Sequence, residues 1–303
     1  MPPDANAVFS EVHAMRSFSL VVASSMFLGA GLAEGGPASG TFKAQKEGTI
    51  SPTHAVAYVV RDSHNARTSR VELMLTDVPV DVTGVQASLD PHMAAINLDE
   101  IKDRNYVLLW VASDGAVTMN ATFSATMTQF LNDTTGGLKA EFTSHTPSRI
   151  EGRVFSSSPL KTMDGSTYSV DLKFAADVPQ VTAGSPLPAG GGDAGKALAA
   201  LLLAASHKDW TAIHAASSPA ALKMFDNTYD TPADKAKSTN DLLNAWIPRT
   251  KMKIAGGDLR GDTAVLEVEG EIFPGQKGLS LVKMVKSGAV WQFEQATRVG
   301  MLP

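Results

Sequence analysis

Between residues 54 and 176 the apolar side chains recur at every second position, in short runs bounded by turn formers, and that beat fits half-buried β-strands. The runs are HAVAYVV (His54 to Val60), VELMLTD (Val71 to Asp77), YVLLWVA (Tyr106 to Ala112), AVTMNATFS (Ala116 to Ser124), LKAEFTS (Leu138 to Ser144), RIEGRVFS (Arg149 to Ser156) and YSVDLKFAA (Tyr168 to Ala176). In the last of them Tyr168, Val170, Leu172 and Phe174 share one face while Ser169, Asp171 and Lys173 share the other, so one face is core and the other is wet. Asp114-Gly115 separates two runs at hairpin length, and Asp164-Gly165 precedes the last. Strands in this number, with only Asp99 to Arg104 hinting at a helical turn, predict an all-β antiparallel sandwich over residues 38–180.

A different grammar follows. Residues 181–195, VTAGSPLPAGGGDAG, concentrate proline and glycine and read as an exposed linker. The 303 residues suffice for two ordinary cores, so residues 196–303 are expected to form a second domain. AGKALAALLLAASHKDWTAIHAA (Ala194 to Ala216) has apolar residues at helical spacing and predicts one long helix or a helix pair. Ser218-Pro219 restarts a helix through Phe225, and Thr231-Pro232 caps another that Pro248 closes after Ile247. Four strand-like runs come next, Thr250 to Gly256, Thr263 to Phe273, Gly278 to Lys286 and Ala289 to Thr297, with turns between them. Helices followed by a four-stranded antiparallel meander give an α+β layout, with the helices on one sheet face.

The segment Ala205, Lys208-Asp209-Trp210, Ala212 to His214, the run GDTAVLEVEGE (Gly261 to Glu271) and the final GAVWQF (Gly288 to Phe293) resemble bacterial exported domains of the nuclear-transport-factor-two-like, ketosteroid-isomerase-like cone fold. The resemblance covers about a third of the chain and implies a cone-like second domain with a cleft between curved sheet and helices. The first half, through GTFKAQ, HAVAYV, LMLTDVPV and RIEGRVFS, is similar to sandwich domains of bacterial exported proteins. Neither likeness implies an established activity.

Export has its own signal in the chain. Phe18 to Leu32 reads FSLVVASSMFLGAGL, uncharged, directly behind Met15-Arg16. It is shorter than the roughly 20 residues of a membrane-spanning helix and runs into Gly31-Leu32-Ala33, small residues of the kind signal peptidase reads, so residues 1–33 are expected to be a signal peptide cleaved after Ala33. Asp4 and Glu11 are wrong for the n-region, which makes Met15 the expected start. A periplasmic or extracellular location follows as an expectation, without stable membrane insertion after cleavage. The absence of cysteine excludes a disulfide scaffold, a thiol nucleophile, a thiolate zinc site and a lipid anchor on sulfur. A net charge of -5 gives no uniform positive field for non-specific nucleic-acid binding.

Chemistry-bearing motifs are few. Gly190 to Lys196 has the spacing of a phosphate loop, but Ala197 stands where a Ser or Thr is needed and no buried strand precedes it. Ser158/Lys161 and Ser280/Lys283 match a serine-x-x-lysine spacing without the helix start that chemistry requires. No closely spaced histidine pair is present; His64 and His92 fall in polar segments and read as surface residues, while His207 and His214 would share a face only on a continuous helix. Glu267, Glu269 and Glu271 alternate on one strand, with Lys251, Lys253, Lys283 and Lys286 on its neighbours, and read as a solvated face laced with ion pairs. No metal site, no cofactor and no catalytic residue is assigned.

What remains is a pocket in the second domain, for which Trp210, Tyr229, Trp246, Trp291 and Phe293 are the candidate lining, against the plainer reading that they fill the core. The expected role is a non-catalytic exported protein that binds a small apolar ligand or another envelope protein. The alternative is a small-molecule isomerase or lyase using an acid/base pair, with Asp209, Asp226, Asp230, His214 and Tyr229 as the available actors.

Overall fold

The computed structural model describes residues 35–133, 136–162, 165–180, 184–226 and 231–303. The expected export segment, most of the linker's first residues, Tyr229 and Asp230 lie outside these ranges.

The first half contributes β1 (Gly36–Ala44), β2 (Gly48–Ile50), β3 (His54–Arg61), β4 (Ser69–Thr76), the short helix α1 (Pro91–Ile96), β5 (Tyr106–Val111), β6 (Val117–Phe123), β7 (Thr128–Asp133), β8 (Leu138–Thr146), β9 (Arg149–Ser156), β10 (Leu160–Lys161) and β11 (Thr167–Asp177). These strands make one antiparallel sheet of eleven, in the order β7-β6-β5-β4-β3-β1-β11-β9-β8, with β2 and β10 as side branches on β1 and β11. That corrects the expected sandwich, which needs two separate sheets. The joint is β1, which pairs with β11 from Ala38↔Phe174 to Ala44↔Tyr168 and with β3 at Gly36↔Ala55 and Pro37↔His54. Its sequence, GPASGTFKA, hides the strand behind turn formers, and those glycines have a purpose. A Cβ on Gly36 would sit 1.9 Å from the Ala175 carbonyl oxygen, and one on Gly40, at φ +98°, 2.0 Å from that of Asp171.

The long sheet curls so that its concave face closes on itself. Ala57, Leu73, Leu109 and Met119 from one end meet Val154, Val170 and Leu172 from the other in a common core, and Phe42 stacks on Tyr168 with ring centroids 5.4 Å apart. The other face of β3, β4 and β5 is also covered. Val56, Tyr58, Met74 and Leu108 pack there under Val80, Val82, Val85, Ala95 and Ile101 from the segment that carries α1. Strands buried on both faces lose the strict apolar/polar beat, which is why HAVAYVV is apolar almost throughout.

The second half runs β12 (Ser185–Leu187), α2 (Gly192–Ser206), α3 (Trp210–Ala215), α4 (Pro219–Asp226), α5 (Pro232–Trp246), β13 (Thr250–Arg260), β14 (Thr263–Phe273), β15 (Gln276–Ser287) and β16 (Val290–Met301). Its sheet has five strands, β12-β13-β14-β15-β16, so the expected four-stranded, cone-like meander is corrected here: β12, drawn from the expected linker, pairs with β13 at the edge. Helix α2 buries Ala194, Leu198, Leu201, Leu202 and Ala205, one helical stripe, and α5 starts at an N-cap where Thr231 accepts the amide of Asp234. Against them lie Leu266, Val268, Val282, Met284 and Phe293. The opposite face of β14, with Val265, Glu267 and Glu269, turns towards the β3–β4 end of the long sheet, where Arg61 pairs with Glu267 at 2.8 Å and Arg67 pairs with Glu269. Fold class is therefore two antiparallel sheets, with α2 to α5 on the face of the five-stranded sheet turned away from the long one, not a sandwich followed by an α+β domain.

Candidate functional site

Between the two sheets lies a cleft of about 720 Å³, within the range of small-molecule sites. Its walls are the ends of β3 and β4, the segment from Gln86 to His92, and the outward faces of β13 to β16. The segment is fixed by Gln86, whose side-chain oxygen accepts the Val59 amide at 2.7 Å while its nitrogen donates to the Val59 carbonyl at 3.3 Å. Asp90 then caps α1 by accepting the amide of Met93 at 3.0 Å, with Pro91 in the first turn. This sets the direction of His92.

His92 points at Glu72, a fully buried carboxylate on the convex face of β4. Glu72 Oε1 accepts from the Tyr58 hydroxyl at 2.7 Å and from His92 Nδ1 at 2.8 Å, and Oε2 accepts from Trp110 Nε1 at 2.7 Å. Three donors on one buried carboxylate compensate its lost hydration. The hydrogen bond to Glu72 raises the His92 pKa above its ordinary value of 6.5, burial works against it, and the nearby charges of Glu72 and Asp90 add to the rise while Arg70 opposes it. Burial, reinforced by Glu72, holds the Tyr58 hydroxyl well above its usual range, so it serves as a donor. Arg70 lies 5.2 Å over the Trp110 ring, and the His92 ring centroid is 6.1 Å from the same indole.

Four arginines line the cleft. Arg61 is held by Glu267 and Arg260 by Asp258 at 2.6 Å. Arg70 and Arg298 have no acidic partner among the described residues, and Arg70 Nε is buried without a hydrogen-bond partner. Val265, Leu281 and Val299 supply the apolar part of the wall. A second, smaller cavity of about 480 Å³ shares Val59, Ser69 and Arg70 with the first and is otherwise lined mainly by valine and proline. Among the described residues no cluster of three His, Asp or Glu side chains is arranged to hold a metal ion.

The sequence-derived candidates lie elsewhere. Phe293 is fully buried and stacked on Phe225, ring centroids 5.9 Å apart, and Trp210, Trp246 and Trp291 pack at the margin of the same core. None of these four lines either cavity. Tyr229 and Asp230 are outside the described residues, as is the side chain of Asp226. Asp209 is occupied as the cap of α3, accepting the amide of Ala212 at 3.0 Å. His214 stands edge-on to Trp210, and α2 ends before His207, so the two histidines do not share a continuous helix. Gly190 to Lys196 turns into α2, where Lys196 pairs with Asp193 at 2.8 Å. The glutamates on β14 do form ion pairs, Glu269 with Lys253 at 2.8 Å and Glu271 with Lys251 at 3.1 Å, but Glu267 and Glu269 also bind arginines from the first half.

His92 was legible only as a surface residue. Two signals bear on it: Asp90-Pro91 is a helix start directly before it, and Glu72 interrupts an apolar strand whose neighbour on the same face, Met74, is apolar. No described helix is long and apolar enough to cross a membrane. No protein-family model matches the chain, and no curated protein sequence matches it.

Proposed function

We propose that this is an exported, non-catalytic binding protein that holds a small molecule in the cleft between its two sheets. The observation that carries this reading is the cleft itself: about 720 Å³, walled by apolar side chains and converging charged groups, with Arg70 lacking an acidic partner. The export component rests on the uncharged run from Phe18 to Leu32 behind Arg16. Native mass spectrometry of the purified protein tests the binding component. A retained small molecule is expected, and it should be lost in Ala87→Trp, which fills the cleft from an exposed position on its rim. A bare mass in the parent, or an adduct indifferent to Ala87→Trp, would sink the reading.

One observation favours a second reading. A half-exposed imidazole oriented by a buried carboxylate is the arrangement of a general base with its orienting partner. Among the described residues no hydroxyl is hydrogen-bonded to His92, which directs this reading to proton abstraction from a bound molecule and away from acyl transfer. Turnover of the retained molecule, abolished in His92→Asn with binding intact, would select it over pure binding.

A further inference from the structure

The polar groups of the cleft are not balanced in hydrogen-bonding capacity. Both oxygens of Glu72 are taken by Tyr58, His92 and Trp110. Asp90 is taken on one oxygen by the Met93 amide and has Thr297 Oγ1 at 3.4 Å from the other. Glu267 and Asp258 are neutralised by Arg61 and Arg260. The charged groups left over are the guanidinium of Arg70 and that of Arg298, neither with a hydrogen-bond partner from its side chain among the described residues, beside Nε2 of His92, a third donor when the ring is protonated. Arg70 and His92 both pack on the Trp110 indole, which places two of these donors together. A cation entering here meets two guanidinium groups that no carboxylate neutralises among the described residues.

Resting on the binding reading above, we propose that the cleft takes an organic oxyanion, a carboxylate or phosphate ester with an apolar body. Its head group is received by Arg70 and His92, with Arg298 at the rim, and its body lies along Val265, Leu281 and Val299. The planar guanidinium fork suits both head groups, and the Trp110 ring against which Arg70 and His92 lie holds the two side chains side by side. Arg61 and Arg260 do not compete for the ligand, because each already holds a carboxylate.

The test uses four probes of equal chain length at low ionic strength: hexanoate, hexyl phosphate, hexan-1-ol and hexylamine. Binding is followed by calorimetry and by the amide-region NMR signal of the Trp110 indole N–H, assigned with Trp110→Phe. At least one anion should bind about tenfold or more tighter than hexanol, the comparison of the two anions naming the head group, and hexylamine should not bind. Arg70→Met should weaken the anion by about tenfold and leave hexanol unchanged, and Arg298→Gln, at an exposed position, should weaken it by about threefold even if the first variant folds poorly. Equal affinity for hexanol and the anions, or anion binding indifferent to both substitutions, overturns the oxyanion assignment and leaves the cleft as a binding site. Silence from all four probes overturns it too, while the binding reading stands or falls separately on the native mass spectra of the parent and of Ala87→Trp.

Discussion

His92 Nδ1 donates to Glu72 Oε1 across 2.8 Å, joining the first turn of α1 to the middle of β4. The groups facing this imidazole are Glu72 and Arg70 from β4 and Asp90 from the cap, and the hydrogen bond to Glu72 outweighs burial in raising its pKa above 6.5. A raised value in the folded state means that protonated His92 stabilises the fold below pH 6.5 and that this contribution fades as pH climbs through the folded value. Melting temperature measured from pH 6 upward should therefore fall in the parent and fall less in His92→Gln. An equal slope in both proteins would show that the pair does not titrate as described.

Glu72 has the larger structural role. Glu72→Gln puts an amide NH₂ among the Tyr58, Trp110 and His92 donors and leaves at least one buried donor without an acceptor. A loss of about 2–4 kcal/mol in denaturant unfolding is expected. Pairing it with Tyr58→Phe, which removes one of the competing donors, should cost less than the sum of the two single changes.

Phe293 belongs to the second core and lines neither cavity. Fully buried and stacked on Phe225, it should cost about 3–5 kcal/mol when truncated to alanine, while the affinity of the folded protein for an oxyanion probe stays within twofold. Loss of affinity with stability intact would move the ligand site to the helical side of the sheet.

The strands were readable where one face is wet: β11 alternates buried Tyr168, Val170 and Leu172 with exposed Asp171 and Lys173, as its spacing demands. The helices of the second half were readable through caps, since Thr231 and Ser218 are local signals. Strand pairing was not readable. The eleven-stranded sheet depends on β1, whose glycines look like turns and in fact permit close backbone approach, and no local pattern states that Gly36 will meet Ala55. The cleft was hidden for a related reason. Its groups come from β4, the α1 segment and β16, so Glu72, His92 and Arg298 are far apart in sequence, and aromatic residues, the usual sign of a pocket, belong instead to the core.

Glu269 carries the last prediction. Its side chain is only 7% exposed and is held by Lys253 on the adjacent strand and by Arg67 from the loop between β3 and β4, so it ties the two sheets together. The hydrogen bond from Lys253, followed by the nearby charge of Arg67, lowers its pKa below the ordinary 4.5 against the opposing effect of burial. A lowered folded value means that the stabilisation is fully present above pH 4.5 and is lost as pH falls through the folded value. Glu269→Gln should therefore cost about 1–2 kcal/mol at pH 7 and flatten the acid side of the stability profile below pH 4.5. Because Arg67 reaches Glu269 from the other sheet, the variant should also speed hydrogen exchange at the amides of Ala66 and Met301, which bond to Met301 and Ser63 carbonyls where that loop meets β16. Unchanged exchange at those two amides alongside a full stability loss would mean that Glu269 acts only within its own sheet.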